Sequence, residues 1–520
     1  MVRKLIKSLL KAAAYPEPTA KVRLIETHVS YIFISDHYVY KVKKPVDFGF
    51  LNFSTLDRRR FYCEEELRLN RRLCPDLYLG VVELRETPEG GSFAAGTKVI
   101  DYAVKMKRLP EERMLSHLLE LGRVEPAQMA AIGRILAEFH AKADRGPQID
   151  AFGGSEVIRS NWEENFRQAA PFQDEVLSRG DLALLRDWVE RFLSGNAELF
   201  QARVAGGFIR ECDGDLHSGN ICLTDPICIF DCIEFNERFR YIDTAADISF
   251  LLMDLEYAGR PELCAPLLEA YREGSGDPVP PALLDFYKGY RAFVRGKVQC
   301  FRLREPAIAQ EELAEAKASA GRYFRLARGY ALRSRLAPTL IITCGLMGSG
   351  KSALARELGF QLGLTPERSD RVRKELAGAP PAAPAGGAGY HLGIYAPSFN
   401  EATYRALLQG AKKALLAGRS VIVDATFRRA SDRASFALLA RELGVPFFVL
   451  ETNCSDELIR ERLEKRRLDP GELSDGRWEL FPKQRAEFEP PAQGESIRVD
   501  SSLPLPAAVD LALKGMGLLP

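Results

Sequence analysis

Acidic and amide side chains are concentrated in the stretch ECDGDLHSGN, residues 211–220. Asp215 and Asn220 have the spacing D-x-x-x-x-N, and Asp231 follows directly after the apolar run ICIF. The same spacing separates the general base from a metal ligand in loops that catalyse phosphoryl transfer. That reaction needs a carboxylate to orient and deprotonate the accepting hydroxyl, and oxygen ligands to hold Mg²⁺. An acid at a strand end, such as Asp231, is suited to chelate a second metal ion.

A second candidate site lies in GLMGSGKS, which matches the pattern G-x-x-x-x-G-K-S in full and follows the apolar run IITC. The glycines let backbone N–H groups turn toward phosphates, Lys351 reaches the β- and γ-phosphates, and Ser352 holds Mg²⁺. Asp424, at the end of VIVD, is expected to orient Mg²⁺ through water. The predicted nucleotide-binding loop consists of Gly345, Leu346, Met347, Gly348, Ser349, Gly350, Lys351 and Ser352.

Candidate acceptor-binding residues follow this loop. Asp370 and Arg373 in SDRVRKEL are one helical turn apart and face the same way. Asp370 is suited to accept the proton of an acceptor hydroxyl, and Arg373 to hold an anionic substrate. Further on, Arg462 and Arg466 have helical i,i+4 spacing in DELIRERLEKRRL. Either arginine is suited to supply positive charge in the transition state of phosphoryl transfer.

The elements that position these residues fall into two groups. Residues 22–50 alternate as strands, with a hairpin around Asp36-His37, and a helix capped by Ser54 or Thr55 follows. Residues 111–200 have mostly helical spacing, short strands return near 208–235, and helices continue to about 335. A strand, a glycine-rich turn and a helix then begin an α/β domain. The low-complexity segment 378–389 is expected to be a mobile loop or insert.

Composition limits the class of protein. A chain of 520 residues is too long for one hydrophobic core, and a net charge of +1 gives no electrostatic reason for strong binding to nucleic acid or acidic membranes. The ten cysteines form no CxxC pair, which predicts buried free thiols in a reducing cytosol. No apolar run approaches the roughly 20 residues that span a bilayer, so a cytoplasmic protein is expected.

The motif DGDLHSGN followed by IFDCIEF resembles the aminoglycoside phosphotransferase and choline kinase group, whose loop usually reads HGDLHxxN. The resemblance implies a protein-kinase-like fold with two lobes over residues 1–335, divided at about residue 108. It makes Asp215 the candidate catalytic base, with Asn220 and Asp231 as Mg²⁺ ligands.

The resemblance also calls for a lysine and a partner carboxylate in the first lobe. Lys41 is the candidate, with Lys43 as the alternative, since both side chains point to the same side of a strand. Glu66 is the candidate partner, with Glu64 and Glu65 as neighbours that are easily confused with it. The segment YAVKMKRLP corresponds to the hinge that holds adenine.

Two departures from the family pattern matter. Asp213 stands where the family has His, and this extra carboxylate is expected to raise the pKa of the base. THVSYIF stands where a glycine-rich loop is usual, so phosphate contacts are expected from Ser30 and backbone amides.

The D-x-x-R pattern resembles small P-loop kinases, including polynucleotide 5′-hydroxyl, gluconate-type and zeta-toxin-like kinases. The whole chain is similar to bacterial two-domain proteins that join a phosphotransferase-like domain, residues 1–335, to a P-loop kinase domain, residues 336–520, with a parallel sheet flanked by helices. The expected function is ATP-dependent phosphoryl transfer to small-molecule hydroxyls at two Mg²⁺ sites. The alternatives are a polynucleotide or nucleotide-sugar kinase at the C-terminus, and a nucleotide-binding regulatory module at the N-terminus.

Overall fold

The computed structural model describes residues 2–304, 309–378, 393–466 and 478–519. The chain divides into two compact units, Met1–Ser178 with Leu185–Phe324, and Arg179–Leu184 with Arg325–Pro520. The predicted domain boundary at residue 336 stays a prediction. Almost all of the low-complexity segment 378–389 lies outside the described residues.

The first lobe is built on one antiparallel sheet of six strands. The strand order is β1-β2-β3-β6-β4-β5, so the central strands come from distant parts of the sequence. The elements are α1 (Val2–Leu9), β1 (Arg23–Glu26), β2 (Ser30–Ile34), β3 (Tyr38–Lys43), α2 (Leu56–Asn70), β4 (Tyr78–Thr87), β5 (Gly90–Ser92) and β6 (Val99–Lys107).

The predicted hairpin and the helix after it are confirmed. β2 and β3 pair antiparallel, with Ile32 opposite Lys41. Thr55, one of the two predicted caps, accepts a hydrogen bond from the Arg58 N–H at 3.3 Å, which satisfies an N–H at the start of α2. The strand register and the helix cap therefore fix the positions of the side chains on β3 and α2.

The second lobe is mainly helical, as the spacing of apolar residues predicts. Two short antiparallel pairs, β7 with β10 and β8 with β9, carry the acidic stretch. The helices of this part of the chain are α3 (Leu115–Glu120), α4 (Pro126–Lys142), α5 (Pro147–Asp150), α6 (Ser155–Ala169), α7 (Arg179–Gly195), α8 (Ala197–Ala205), α9 (Glu237–Arg240), α10 (Thr244–Tyr257), α11 (Cys264–Ser275), α12 (Pro281–Arg302) and α13 (Gln310–Arg333). The strands are β7 (Ile209–Glu211), β8 (Ile221–Cys222), β9 (Cys228–Ile229) and β10 (Tyr241–Asp243).

The C-terminal domain has a parallel five-stranded sheet in the order β12-β13-β11-β14-β15. Its central strand is fully buried, which explains the continuous apolar run LIITC. The strands are β11 (Leu340–Cys344), β12 (Glu367–Arg368), β13 (Val421–Asp424), β14 (Phe447–Asn453) and β15 (Ile497–Asp500). The helices are α14 (Lys351–Leu362), α15 (Ser369–Leu376), α16 (Pro397–Leu416), α17 (Ala430–Leu443), α18 (Asp456–Arg466), α19 (Phe481–Ala486) and α20 (Leu505–Gly515). The predicted fold class is confirmed for both domains.

The expectation that all ten cysteines are free thiols is wrong for two of them. Cys74 and Cys228 form a disulfide, with their Cα atoms 5.2 Å apart. Cys74 follows α2 and Cys228 begins β9, and both belong to one apolar cluster with Tyr78 and Met106. Packing between the two lobes thus brings together two residues that are 154 positions apart in the sequence.

No described helix is long and apolar enough to cross a membrane.

Candidate active sites

A lysine of β3 and a carboxylate of α2 form a buried ion pair. Lys41 Nζ lies 2.9 Å from Glu66 Oε1 and 2.5 Å from Asp231 Oδ1. Burial would lower the pKa of Lys41, but the carboxylates of Asp231 and Glu66 outweigh burial and hold it well above its usual value. Lys41 is therefore a fixed cation at the junction of the two lobes.

Lys43, the alternative lysine, contacts the other oxygen of the same carboxylate. Its Nζ lies 2.7 Å from Glu66 Oε2 and also contacts Glu234. Burial favours the neutral form of Glu66, but the two lysines lower its pKa to about 2. Lys43 is almost fully buried, whereas Lys41 lines a cavity. Lys41 is thus the lysine of the pair that is placed to contact a ligand.

The acidic stretch forms a compact loop around Asp215. Asn220 Nδ2 donates to the Asp215 backbone carbonyl at 3.1 Å and to its Oδ2 at 3.3 Å. His217 Nε2 lies 3.5 Å from the same carboxylate oxygen. Burial would raise the pKa of Asp215, but His217, Arg295 and Arg291 outweigh burial and lower it. The candidate base is therefore ionised at neutral pH.

The expectation that Asp213 raises the pKa of the base is wrong. Burial and the neighbouring Asp247 raise the pKa of Asp213 itself well above its usual value. Asp247 remains ionised because His140 and Arg291 oppose the effect of burial and lower its pKa. A neutral Asp213 carries no charge that opposes ionisation of Asp215, and its Oδ1 accepts the Asp215 N–H at 3.0 Å.

The two predicted metal ligands lie at the same end of the β8–β9 hairpin. Asn220 directly precedes β8, Asp231 follows β9 by two residues, and the Phe230 N–H donates to the Asn220 carbonyl at 3.0 Å. Asp231 has φ 67°, and its N–H donates to the Tyr78 hydroxyl at 3.1 Å. The hairpin register therefore places Asn220 and Asp231 at one end of the hairpin although ten residues separate them in the sequence.

A cavity of about 780 Å³ lies beside this loop. Lys41, Asp215, Asp231 and Ser30 all line it, together with the turn that replaces the glycine-rich loop. Among the described residues, the buried Ser30 Oγ has no hydrogen-bond partner. Such a group is suited to a ligand atom, because a buried hydroxyl without a partner is costly. The segment YAVKMKRLP consists of the end of β6 and the link to the second lobe. That its backbone holds adenine stays a prediction.

The nucleotide-binding loop joins β11 to α14. Gly345, Gly348 and Gly350 have φ values of 139°, 78° and 95°, which L side chains rarely adopt. A Cβ on Gly345 would approach the Thr452 carbonyl oxygen to 2.7 Å, and one on Gly348 would approach Ile459 Cγ2 to 2.9 Å. The loop is thus closely packed from behind, and its Gly345, Met347 and Ser349 N–H groups donate to protein acceptors.

The side chains around this loop are those that the motif predicts. Lys351 Nζ donates to the Leu346 carbonyl at 2.7 Å, across the loop, and Ser352 is the next residue of α14. Arg462 on α18 donates to the Ser501 carbonyl at 2.6 Å, beside Gly350. The side chain of Arg466, the other candidate arginine, lies outside the described residues.

The remaining predicted residues lie at the carboxyl ends of the strands. Asp424 ends β13, is buried, and accepts from the Thr343 hydroxyl at 3.3 Å. Asp370 and Arg373 share one face of α15, with 3.3 Å between Oδ1 and Nη1. Arg373 also donates to Asn400 at 2.8 Å. In parallel α/β sheets, this edge is where ligands bind.

Several residues that support these sites were not predicted from the sequence. Arg291 of α12 donates to the Gly214 carbonyl at 2.9 Å and holds the loop that carries Asp215. Gln484 of α19 accepts the Met347 N–H at 2.6 Å and holds the nucleotide-binding loop. Both residues lie in distant helices that contain no recognisable motif, so no sequence signal identified them. Glu234, which contacts Lys43, is different, because it belongs to the motif IFDCIEF.

Comparison with known proteins agrees with this architecture. Residues 62–286 match the family model described as phosphotransferase enzyme family. Residues 340–491 match the model described as AAA domain. The predicted pairing of a phosphotransferase-like domain with a P-loop kinase domain is confirmed.

Solved structures match over about a third of the chain. A gluconokinase from Sinorhizobium meliloti 1021 is 20% identical with a TM-score of 0.26, and the match covers 35% of this chain and 92% of that chain. The Mycobacterium tuberculosis APS kinase CysC in complex with AMPPNP and APS is 19% identical with a TM-score of 0.25, over 35% of this chain and 97% of that one.

Two curated mycobacterial proteins match most of the chain. The uncharacterized proteins Rv2004c of Mycobacterium tuberculosis and Mb2027c of Mycobacterium bovis are each 31% identical over 451 residues, which covers 86% of this chain and 87% of each relative. At this identity and coverage the chain belongs to the same family as these two proteins, and it joins an N-terminal domain of the phosphotransferase enzyme family to a C-terminal P-loop kinase domain.

Proposed function

We propose that this protein is a bifunctional ATP-dependent phosphotransferase, which transfers the γ-phosphoryl group of ATP to hydroxyls of small-molecule acceptors at two separate Mg²⁺-dependent sites. The observation that carries the proposal is the convergence of Lys41, Asp215 and Asp231 on one cavity, with Asn220 bonded to Asp215. The balanced net charge of +1 favours small acceptors over long nucleic acid.

In the N-terminal site, each group has a role that follows from its contacts. Ionised Asp215 accepts the proton of the acceptor hydroxyl, and the Asn220 amide holds the carboxylate in place. Lys41 binds phosphate oxygens, and Glu66 fixes the direction of the lysine. The Asn220 amide oxygen and the Asp231 carboxylate fit Mg²⁺, which prefers hard oxygen ligands. Bound Mg²⁺ offsets the negative charge of the phosphates.

In the C-terminal site, the backbone of residues 345–352 and Lys351 hold the phosphates, and Ser352 and Asp424 fit Mg²⁺. Asp370 accepts the proton of the second acceptor, Arg373 binds an anionic group of it, and Arg462 supplies positive charge beside the loop. The positive φ values of the loop glycines support a phosphate-binding loop, because such conformations turn backbone N–H groups toward a bound anion.

The proposal is tested by ATP consumption over a library of hydroxylated metabolites. Wild type is compared with Asp215→Asn and Lys351→Ala, and with the surface controls Asp187→Asn and Lys412→Ala, whose side chains are exposed. We expect two groups of acceptors. Asp215→Asn abolishes turnover of one group by at least about 100-fold, Lys351→Ala abolishes the other, and the controls change neither.

Two results would contradict the proposal in different ways. ATP binding at the N-terminal site without turnover of any acceptor would favour a regulatory module there. Phosphorylation of a 5′-hydroxyl oligonucleotide, lost in Lys351→Ala, would assign the C-terminal domain to nucleic-acid ends instead of small molecules.

A further inference from the structure

The cavity beside Asp215 is lined mainly by aromatic and aliphatic side chains. Its described lining includes ten Phe and Tyr residues. Four of them form a phenylalanine cluster, with neighbouring ring centroids 6.1–6.3 Å apart: Phe48, Phe50, Phe235 and Phe239. A ligand that fills this cavity therefore needs an apolar body, since apolar walls gain most from apolar surface.

The acidic side chains of the lining are compensated by cations. Outside the catalytic loop, each described acid of the lining has a basic partner: Glu164–Arg238, Asp231–Lys41, Glu234–Lys43 and Asp243–Arg203. A polycationic acceptor needs carboxylates that are not already neutralised, because each buried ammonium group must be paired. The charge distribution therefore argues against aminoglycosides and other polyamines.

Two cations of the described lining form no ion pair with a carboxylate, Arg291 and Lys297 of α12. Arg291 donates to the Ala246 and Gly214 carbonyls beside Asp215, and Lys297 lies further along the helix. Lys297 Nζ donates to Asn165 Oδ1 and Gln168 Oε1, each at 2.7 Å, and both partners are neutral amides. An ammonium group has three N–H donors, so one donor remains beyond these two bonds. Burial lowers the pKa of Lys297 to about 8, and the group is still mostly protonated at pH 7. The pair Glu164–Arg238 beside it is neutral overall, so this end of the cavity has one positive charge.

The position of Lys297 relative to the reaction centre follows from α12. Arg291 of the same helix donates to the carbonyl of Gly214, the residue before Asp215. Arg291, Val294, Lys297 and Phe301 all line the cavity, so one face of the helix runs along it. Lys297 is six residues beyond Arg291, so their Cα atoms are displaced by about 9 Å along the axis of α12. The positive charge is thus displaced along the cavity from the candidate base.

We infer that the acceptor of the N-terminal site is a monoanionic alcohol with a hydrophobic or aromatic body, whose hydroxyl lies at Asp215 and whose carboxylate binds Lys297, further along α12. This inference rests on the proposed function for the hydroxyl end and on the lining of the cavity for the carboxylate end. A carboxylate matches one ammonium donor and one net positive charge.

The test measures binding separately from turnover. Full-length protein is titrated calorimetrically with 4-(hydroxymethyl)benzoate, 4-(hydroxymethyl)phenylacetate and 3-[4-(hydroxymethyl)phenyl]propanoate, with their carboxamides, and with kanamycin. We expect at least one acid to bind about tenfold or more tightly than its carboxamide, and kanamycin not to bind. Lys297→Met should remove the preference for the acid by about tenfold and leave the affinity of the carboxamide within about twofold.

Lys297→Gln also removes the ammonium group and should lose the preference as Lys297→Met does, the exposed Lys317→Met is the control, and circular dichroism verifies folding. Equal binding of acids and carboxamides, binding of kanamycin, an unchanged preference in Lys297→Met, or no binding of any acid at millimolar concentration would each overturn the inference. Binding of an acid without phosphorylation would contradict the proposed function alone. Turnover of polyols or amines through Asp215, with no binding of acids, would contradict the acceptor class alone.

Discussion

Asp213 and Asp247 show how one buried carboxyl group keeps its proton beside another that loses it. Asp247 accepts the N–H groups of Asp213 and Gly214 at 3.1 and 2.9 Å, and it faces His140. Asp213 lacks such partners at one oxygen: among the described residues, its buried Oδ2 has no hydrogen-bond partner. The charge is therefore held by Asp247, and Asp213 acts as a neutral hydrogen-bond acceptor behind the catalytic loop.

This arrangement predicts a pH dependence of stability. The pKa of Asp213 is raised in the folded state, so between about pH 4 and that higher pKa the unfolded chain has lost a proton that the folded chain keeps. Stability contributed by this proton is present at low pH and declines as pH rises through that window. Asp213→Asn should remove this decline, so its melting temperature should fall less than that of wild type between pH 5 and pH 8.

The measurement is thermal unfolding followed by circular dichroism at both pH values, with the exposed Asp187→Asn as control. Identical pH profiles for wild type and Asp213→Asn would show that Asp213 is ionised in the folded protein.

At the scale of single residues, the sequence predicts which residues form the candidate site better than it predicts their protonation states. The family resemblance of DGDLHSGN led to Lys41, Glu66 and Asp215 as candidates, with Lys43 as an alternative, and the structure pairs Lys41 with Glu66 and lines one cavity with Lys41 and Asp215. The raised pKa of Asp213 was not predictable, because it depends on Asp247, which is 34 positions further along the sequence. The sequence also gives no sign that Lys297 lies in the cavity, since a lone lysine in a helix is usually exposed.

At the scale of elements, the nucleotide-binding loop is held by its glycines. Gly348→Ala would force a Cβ to within 2.9 Å of Ile459 on α18, at a φ of 78°. We expect the C-terminal site to lose at least about tenfold in affinity for Mg²⁺·AMPPNP, measured by calorimetry, because the backbone N–H groups would shift. Gly410→Ala is the matched control, since Gly410 lies inside α16 with nothing within 4 Å of its added Cβ.

Gly410→Ala should instead stabilise the protein by about 0.5–1 kcal/mol without changing nucleotide affinity. Equal affinities in Gly348→Ala and wild type would mean that the loop binds phosphate in another conformation.

The disulfide links two elements of the N-terminal domain. It joins the segment after α2 to the hairpin that precedes Asp231. It closes a loop over a sequence separation of 154 residues, so Cys74→Ser should destabilise the non-reduced protein by about 2–5 kcal/mol. Thermal unfolding with and without reductant checks this, and the difference from wild type should largely vanish when both are reduced. Cys454→Ser, at a free thiol, is the control.

Thiol labelling of the denatured, non-reduced chain gives an independent outcome. Eight labelled cysteines are expected, and ten would show that the disulfide does not form.

Secondary structure was largely predictable, and the order of strands was not. Alternation predicts the β2–β3 hairpin, and the continuous apolar runs predict β11 and β13. The position of β6 between β3 and β4 depends on contacts between distant segments, which local patterns do not encode. The same holds for the disulfide and for the face of α12 that lines the cavity.

At the scale of the whole molecule, one chain carries two proposed phosphate-binding sites of different architecture. The first uses a lysine–glutamate pair and a hairpin with an amide and a carboxylate, and the second uses a glycine loop at the start of α14. Because the two sets of residues belong to different compact units, each set should bind nucleotide when the other is disabled. The central claim is therefore the presence of two independent nucleotide sites.

The most direct measurement is the stoichiometry of Mg²⁺·AMPPNP binding to the full-length protein by calorimetry. The account predicts two sites per chain in wild type. Lys351→Ala should retain only the N-terminal site, and Lys41→Met only the C-terminal site. A single site in wild type, or one variant that abolishes both sites, would contradict the account.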